Sequence, residues 1–134
     1  MAVDEVAPGR PNVVAVLKGR GGGRSLMING HTDTVGVEGM PEPFSASIRD
    51  GKLYGRGAQD MKASLAAMLA AAKAIHDAGI TLSGDLILTF VIDEEALSKG
   101  TAAIVKQYRA DAAIVTEPTD LTITRAHRGF IWFE

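Results

Sequence analysis

Three consecutive carboxylates, Asp93, Glu94 and Glu95, follow directly on the apolar run at residues 86–92. A short apolar run of this kind is typical of a strand buried inside a sheet. Neighbouring carboxylates repel one another unless a cation or a shared proton holds them. The stretch therefore predicts a buried strand that delivers two of its acids to a metal site. Taken alone, it is also compatible with a strand that ends in a solvated acidic turn.

The same arrangement, a strand-like run followed by polar side chains, occurs at two further places. His31 and Asp33 follow residues 25–29, and Glu117 follows residues 111–116. In an open α/β sheet, ligands bind at the carboxyl ends of the strands. Residues two apart in an extended run point to the same side, so Asp33 can reach the His31 ring and fix which nitrogen is free to bind metal. A turn histidine without a metal is the alternative for His31.

Asp60 lies ahead of a long predicted helix and has two interpretations. It can accept backbone N–H bonds as the N-cap of that helix, or it can bridge two metal ions with its two carboxylate oxygens. The sequence leaves both open. The helix is predicted from apolar residues at helical spacing, with Gly79 as its stop; these are Leu65, Met68, Leu69, Ala72 and Ile75.

The remaining segments predict two hairpins and an alternation of strand and helix. Residues 12–18 and 26–28 are predicted to pair across a glycine-rich tip, and residues 45–54 to form a second hairpin that turns at Asp50 and Gly51. The other predicted elements are a strand at 84–92, a helix at 101–108 and a strand at 111–115. This alternation predicts an α/β fold with parallel pairing through right-handed crossovers.

Composition excludes several kinds of site and partner. The chain has no cysteine, so any metal must be held by nitrogen and oxygen. A net charge of −2 offers no basic surface to a polyanion, so nucleic acid is not an expected partner. The apolar run of the long helix is too short to cross a bilayer, and the N-terminus lacks a signal-like apolar core, which predicts no membrane partner and a cytoplasmic location. With 134 residues, the chain is expected to form one domain or less.

Two other histidines and the last apolar run receive simpler interpretations. His76 and His127 are interpreted as structural or solvated, because neither follows a strand at the edge where the acids gather. Residues 130–133 are predicted to be a strand without a closing turn, which indicates a truncation or a partner that supplies the next strand.

Four short motifs give the chain a family resemblance. In order they are HTDTV at residues 31–35, GRGAQDMK at 55–62, DEE at 93–95 and TEPT at 116–119. Together they resemble the acetylornithine deacetylase, succinyl-diaminopimelate desuccinylase and aminoacylase family of two-zinc metallopeptidases. The resemblance implies an α/β fold of the zinc-peptidase type, a three-layer sandwich with a mixed, mostly parallel sheet that is incomplete here. Residues 1–134 would then be a partial catalytic domain, with the dimerisation domain and the C-terminal part of the catalytic domain absent.

The resemblance also implies a set of metal ligands. His31, Asp60 and Glu117 would hold one Zn²⁺, and Asp60 and Glu95 would hold a second, with Asp60 bridging the two ions. Co²⁺ and Mn²⁺ are the alternative ions. In the family the second ion takes a further histidine from late in the chain, which has no counterpart in this sequence.

The catalytic roles implied by the resemblance fall on two acids. Glu94 would be the general base, and Asp33 would orient His31. Two divalent ions about 3.5–4 Å apart lower the pKa of a shared water and polarise an amide carbonyl, and a carboxylate beside them takes the water proton and passes it to the leaving nitrogen. The expected substrates are N-acyl amino acids, dipeptides or similar small amides. The full-length protein is expected to be a homodimer and the isolated chain to be inactive.

Two other functions stay open at this point. Ala63 and Leu97 stand where the family often has glycine, and the chain could be a catalytically inactive metal-binding fragment or binding module. A nucleotide-binding domain built on Gly55, Gly57 and Asp60 is the weaker alternative, because the aspartate would repel a pyrophosphate.

Overall fold

A computed structural model describes residues 1–126 and residue 129 of the chain. Seven strands and two helices make up the regular structure. In chain order they are β1 (Ala2–Ala7), β2 (Arg10–Leu17), β3 (Leu26–His31), β4 (Ser47–Arg49), β5 (Lys52–Tyr54), α1 (Ser64–Asp77), β6 (Leu86–Val91), α2 (Lys99–Gln107) and β7 (Ala112–Val115). An irregular turn, Ala58–Ala63, leads into α1, and its Asp60–Met61 peptide bond is cis.

Five strands form one mixed sheet in the order β1-β2-β6-β3-β7. The two pairings of β3, with β6 and with β7, are parallel, whereas β1 with β2 and β2 with β6 are antiparallel. The prediction of a mixed sheet is confirmed, with parallel and antiparallel pairings in equal number. The predicted hairpin between residues 12–18 and 26–28 is wrong, because β6 lies between β2 and β3. Every residue of β6 is buried, Thr89 included, and the central position covers this mostly apolar strand on both faces and both edges.

Helices cover both faces of the sheet, which confirms the three-layer arrangement. Side chains alternate along β6, so that Leu86, Leu88 and Phe90 pack with Met68 of α1. Ile87 and Val91 point the other way and pack with Ile104 of α2. Each of these side chains contributes about 1.5–3 kcal/mol when it is fully withdrawn from water. The central strand therefore contributes to two apolar clusters, one under each helix.

The long predicted helix is confirmed as α1, with two corrections. Gly79 has a φ of 65° and donates its N–H to the His76 carbonyl directly after the helix, as expected of a glycine stop. Leu69 is 54% exposed rather than part of the core, although it follows the helical spacing. Asp60 is not the N-cap, because α1 begins four residues later at Ser64. The metal-bridging role of Asp60 stays a prediction.

The other predictions differ from the structure mainly in their bounds. The hairpin that turns at Asp50 and Gly51 is confirmed as β4 and β5, and both turn residues have positive φ, 51° and 72°. The strand β1, which pairs with β2, was not predicted, because acidic residues interrupt its apolar pattern. The predicted strand at 130–133 and His127 lie outside the described residues. Within residues 1–126 and 129, no helix is long and apolar enough to cross a membrane.

Candidate metal centre

The candidate ligands lie together at one edge of the sheet, as the strand-end argument predicts. His31 is the last residue of β3, Glu94 and Glu95 come soon after the end of β6, and Glu117 follows β7. These three strands run parallel, so their carboxyl ends meet at the same edge. The irregular turn before α1 brings Asp60 to the same place.

The distances place His31 at the centre of this group. Its Nε2 atom lies 3.0 Å from Asp60 Oδ1, 3.8 Å from Glu117 Oε1 and 3.9 Å from Glu94 Oε2. The ligand atoms of His31, Asp60 and Glu95 lie within 4.8 Å of one another, and so do those of His31, Glu94 and Glu117. The His31 side chain is 1% exposed, whereas that of Asp60 is 50% exposed. A buried imidazole thus faces four carboxylates that solvent can reach.

The hydrogen bond on the far side of the ring decides which nitrogen faces the acids. His31 Nδ1 lies 2.9 Å from the Asp33 carbonyl oxygen, which only accepts, so Nδ1 carries the hydrogen. In the neutral ring Nε2 then has a lone pair, and it faces Asp60 Oδ1 at 3.0 Å. Two acceptors at this distance repel, so the contact is favourable only with a proton between the two atoms or a metal cation beside them. One imidazole nitrogen with several carboxylates is a donor set that suits Zn²⁺.

Asp33 acts on the site differently from the expectation. Its backbone carbonyl contacts the His31 ring, whereas its carboxylate Oδ1 lies 3.6 Å from Nδ1. The two carboxylate oxygens instead accept the backbone N–H groups of Glu94 and Glu95, each at 3.2 Å. Because β3 ends at His31, Asp33 no longer lies in an extended strand, and it reaches the ring through its backbone carbonyl rather than through its carboxylate. This residue therefore links the histidine to the acidic loop.

The turn that carries Asp60 is fixed to the end of β3 by contacts that sequence reasoning missed. The His31 N–H donates to Met61 Sδ at 3.1 Å, and Met61 is fully buried. Lys62 Nζ donates to the Thr32 carbonyl at 2.8 Å. A Cβ atom at Gly30 would lie 2.6 Å from the Leu65 side chain, so a larger residue there would require that side chain to shift. The one available signal was the GRGAQDMK motif, which contains Met61 and Lys62 but does not name their partners.

The first acid of the triplet is turned away from the group. Asp93 is 5% exposed, and its Oδ1 pairs with Arg10 NH1 at 3.0 Å. Only Glu94 and Glu95 of the triplet therefore contribute to the cluster, in agreement with the expectation that two of the three acids do so.

Charge at the site shifts the pKa values of three groups upward. Burial alone would lower the pKa of His31, but the Asp33 carbonyl, Asp60 and the charges of Glu117 and Glu94 raise it above 6.5. Burial raises the pKa of Glu94 above 4.5, and the His31 charge opposes this while the neighbouring carboxylates add to it. The pKa of Glu117 is raised for the same reasons, burial first. The group therefore holds protons to a higher pH than the separate side chains would.

These shifts predict that the metal-free chain loses stability as the pH rises. The unfolded glutamates release their protons around pH 4.5 and the unfolded histidine around pH 6.5, whereas the folded state keeps these protons to a higher pH. Between the unfolded and the folded pKa of each group, the free energy of unfolding therefore falls as the pH rises. In EDTA we expect a lower melting temperature at pH 8 than at pH 5.5, by thermal unfolding. In a Glu94→Gln, Glu117→Gln double variant, the melting temperature should change less between these two pH values. A change as large as that of the parent would contradict this prediction.

Comparison with known proteins gives one matching family and several relatives. The sequence model of peptidase family M20/M25/M40 matches residues 27–128. Two curated relatives, from Bacillus subtilis (strain 168) and Halalkalibacterium halodurans, are both named N-formyl-4-amino-5-aminomethyl-2-methylpyrimidine deformylase. They are 46% and 44% identical to the chain in alignments of 126 residues that cover 89% of the chain. The chain spans about 30% of the length of each.

Two solved structures are similar in fold. One is an M20 family metallo-carboxypeptidase from Sulfolobus solfataricus, with a TM-score of 0.67 and 28% identity over 79% of this chain and 26% of that chain. The other is human carnosine dipeptidase 1, with a TM-score of 0.68 and 25% identity over 80% of this chain and 25% of that chain.

Proposed function

The chain belongs to peptidase family M20/M25/M40, and from this we propose that it forms the metal-binding part of a hydrolase that cleaves the carbon–nitrogen bond of a small amide. The observation that carries the proposal is the contact between His31 Nε2 and Asp60 Oδ1, 3.0 Å apart with the ring hydrogen on the opposite nitrogen. Such a pair is favourable with a proton or a metal cation beside it, and the other carboxylates at this edge would supply further ligands to a cation.

We propose Zn²⁺ as the ion, with Co²⁺ or Mn²⁺ as alternatives that accept the same ligands. His31, Asp60 and Glu117 would hold one ion, and Asp60 with Glu95 would hold part of a second. The absence of cysteine supports a site made of nitrogen and oxygen alone. Bound divalent ions would polarise the amide carbonyl and lower the pKa of the attacking water.

Glu94 is proposed as the general base. Its side chain is 40% exposed at the mouth of the cluster, so a substrate and a water can reach it. Its raised pKa, caused first by burial, suits a group that takes a proton from water and passes it to the leaving nitrogen. Asp33 would hold this carboxylate in place, because it accepts the Glu94 and Glu95 backbone N–H groups.

The substrate is proposed to be a small N-acyl compound. The sequence predicts an N-acyl amino acid or a dipeptide, and the similarity to a metallo-carboxypeptidase and a dipeptidase is compatible with that. The two curated relatives support a narrower choice, an N-formyl group on the amine of an aminomethyl pyrimidine. We therefore place N-formyl amines first among the substrates to be tested. Homodimerisation, the domain assignment and a cytoplasmic location stay predictions from the sequence.

A chimera tests the proposed activity. The chain would replace the matching 126 residues of the Bacillus subtilis relative, to which it is 46% identical, and release of formate and of free amine would be measured on N-formyl and N-acetyl amines with Zn²⁺ added. We expect turnover of about 1 s⁻¹ or faster, within the ordinary enzyme range. The chain alone should be inactive, since its residues supply only Asp60 and Glu95 for the second ion. A folded, zinc-loaded chimera without turnover would favour a metal-binding module instead.

A further inference from the structure

We propose that Arg10 and Asn12 of β2 are positioning residues for the proposed metal centre, because they fix the loop at residues 93–98 that carries Glu94 and Glu95. Neither of them touches the cluster. They act through Asp93 and through the two ends of the loop. The inference rests on the proposed function, since it concerns residues that would bind the metal and move the proton.

Arg10 acts on the start of the loop. Its NH1 atom lies 3.0 Å from Asp93 Oδ1, and the Asp93 carboxylate is buried, with Oδ2 lacking a hydrogen-bond partner among the described residues. Asp93 has a φ of 67°, a left-handed conformation that aspartate adopts more readily than most non-glycine residues. The Asp93 carbonyl also accepts the Ser98 N–H, which folds the loop back on this residue. Loss of the Arg10 side chain would remove the hydrogen bond and the charge that pair with this buried carboxylate, and Lys99 would be the cation left near it.

Asn12 joins the two ends of the same loop. It is 1% exposed, its Nδ2 donates to the Gly100 carbonyl at 2.9 Å, and its Oδ1 accepts the Ile92 N–H at 3.1 Å. Ile92 immediately precedes the loop and Gly100 follows it within α2. A Cβ atom at Gly100 would lie 2.4 Å from the Ile92 carbonyl oxygen, so the ends meet as closely as glycine permits.

The loop is thereby held on two sides. Arg10 and Asn12 are two residues apart on β2 and therefore point to the same face of the sheet. On the other side of the loop, Asp33 accepts the N–H groups of Glu94 and Glu95. The backbone of Glu94 and Glu95 is therefore held both by the residues of β2 and by Asp33.

Zinc affinity measured on the chain itself tests this inference. By competition with a chromophoric chelator, Arg10→Gln and Asp93→Asn should each bind Zn²⁺ about 10-fold more weakly, the lower end of the loss seen when partners behind metal ligands are removed. Arg10→Lys should recover most of the affinity, since lysine can also pair with Asp93. The Arg10→Gln, Asp93→Asn double variant should bind Zn²⁺ no more weakly than the single variant with the lower affinity, because both substitutions remove the same ion pair.

Two further measurements separate positioning from general loss of structure. Lys18→Gln removes another ion pair between β2 and the β6 region, that of Lys18 with Asp85 at 2.7 Å, and should leave zinc affinity unchanged. In variants with unchanged far-UV circular dichroism, the Co²⁺ absorption spectrum should shift for Arg10→Gln and not for Lys18→Gln. Parent-like affinity and spectrum in Arg10→Gln, or an equal loss in Lys18→Gln, would overturn the inference while leaving the proposed function intact. If the parent chain binds zinc no better than its His31→Ala variant, both are overturned.

Discussion

An Asp60→Asn substitution is expected to weaken Zn²⁺ binding by more than about 100-fold while the chain stays folded. Removal of a partner behind a ligand already costs about 10–100-fold, and Asp60 is proposed as a ligand shared by both ions. The fold should persist, because the new amide can donate a hydrogen bond to the lone pair of His31 Nε2, which lies 3.0 Å from the present carboxylate oxygen. The metal-free variant should therefore be at least as stable as the metal-free parent.

Isothermal titration with Zn²⁺ measures the loss of affinity, and thermal unfolding in EDTA measures the stability of the metal-free chain. Asp77→Asn is the matched control, since it removes an exposed carboxylate that pairs with Lys73 on α1, away from the cluster. Parent-like zinc affinity in Asp60→Asn would remove this residue from the proposed ligand set. A large loss of zinc affinity in Asp77→Asn would show that the effect comes from the change in overall charge rather than from coordination.

Glu94→Gln is expected to lower turnover by about 100-fold or more while zinc content stays near that of the parent. This is the usual size of the effect when a positioned acid–base group is removed. Glu95→Gln should instead lose zinc first. The distinction is needed because Glu94 Oε2 lies 3.9 Å from His31 Nε2, almost the same distance as Glu117 Oε1 at 3.8 Å. Distance alone therefore does not separate the proposed base from the proposed ligand.

The measurement combines initial rates of the chimera on an N-formyl amine with zinc content after dialysis. Glu38→Gln, an acid outside the cluster, serves as the control and should change neither quantity. If Glu94→Gln retains near-normal turnover, it is not the base. If it loses zinc as readily as Glu95→Gln, its role is coordination.

The sequence predicted the composition of the site better than the pairing of the strands. Apolar runs followed by polar residues locate strand ends, and parallel strands bring those ends to one edge, so His31, Glu94, Glu95 and Glu117 were found from local patterns. Which strand lies beside which depends on contacts far apart in the chain. For this reason the hairpin expected between residues 12–18 and 26–28 is replaced by two pairings with β6.

The supporting contacts were not predictable, for a related reason. Arg10 and Asp93 are 83 positions apart, and Asn12 and Gly100 are 88 apart, so no periodicity connects them. The spacing predicted that Asp33 lies near His31. It did not predict that the backbone carbonyl of Asp33, rather than its carboxylate, contacts the ring, because this depends on where β3 ends.

The central claim is that His31 presents Nε2 to a divalent ion while Nδ1 keeps its hydrogen bond to the Asp33 carbonyl. Long-range ¹H–¹⁵N correlation of the imidazole rings tests it directly, because the chain has only three histidines and His31→Gln identifies the relevant signal. On addition of Zn²⁺ we expect the His31 ring to hold its hydrogen on Nδ1 and to show a shift at Nε2 that saturates with the metal. A His31 ring that keeps its hydrogen on Nε2, or that does not respond to Zn²⁺, would contradict the account.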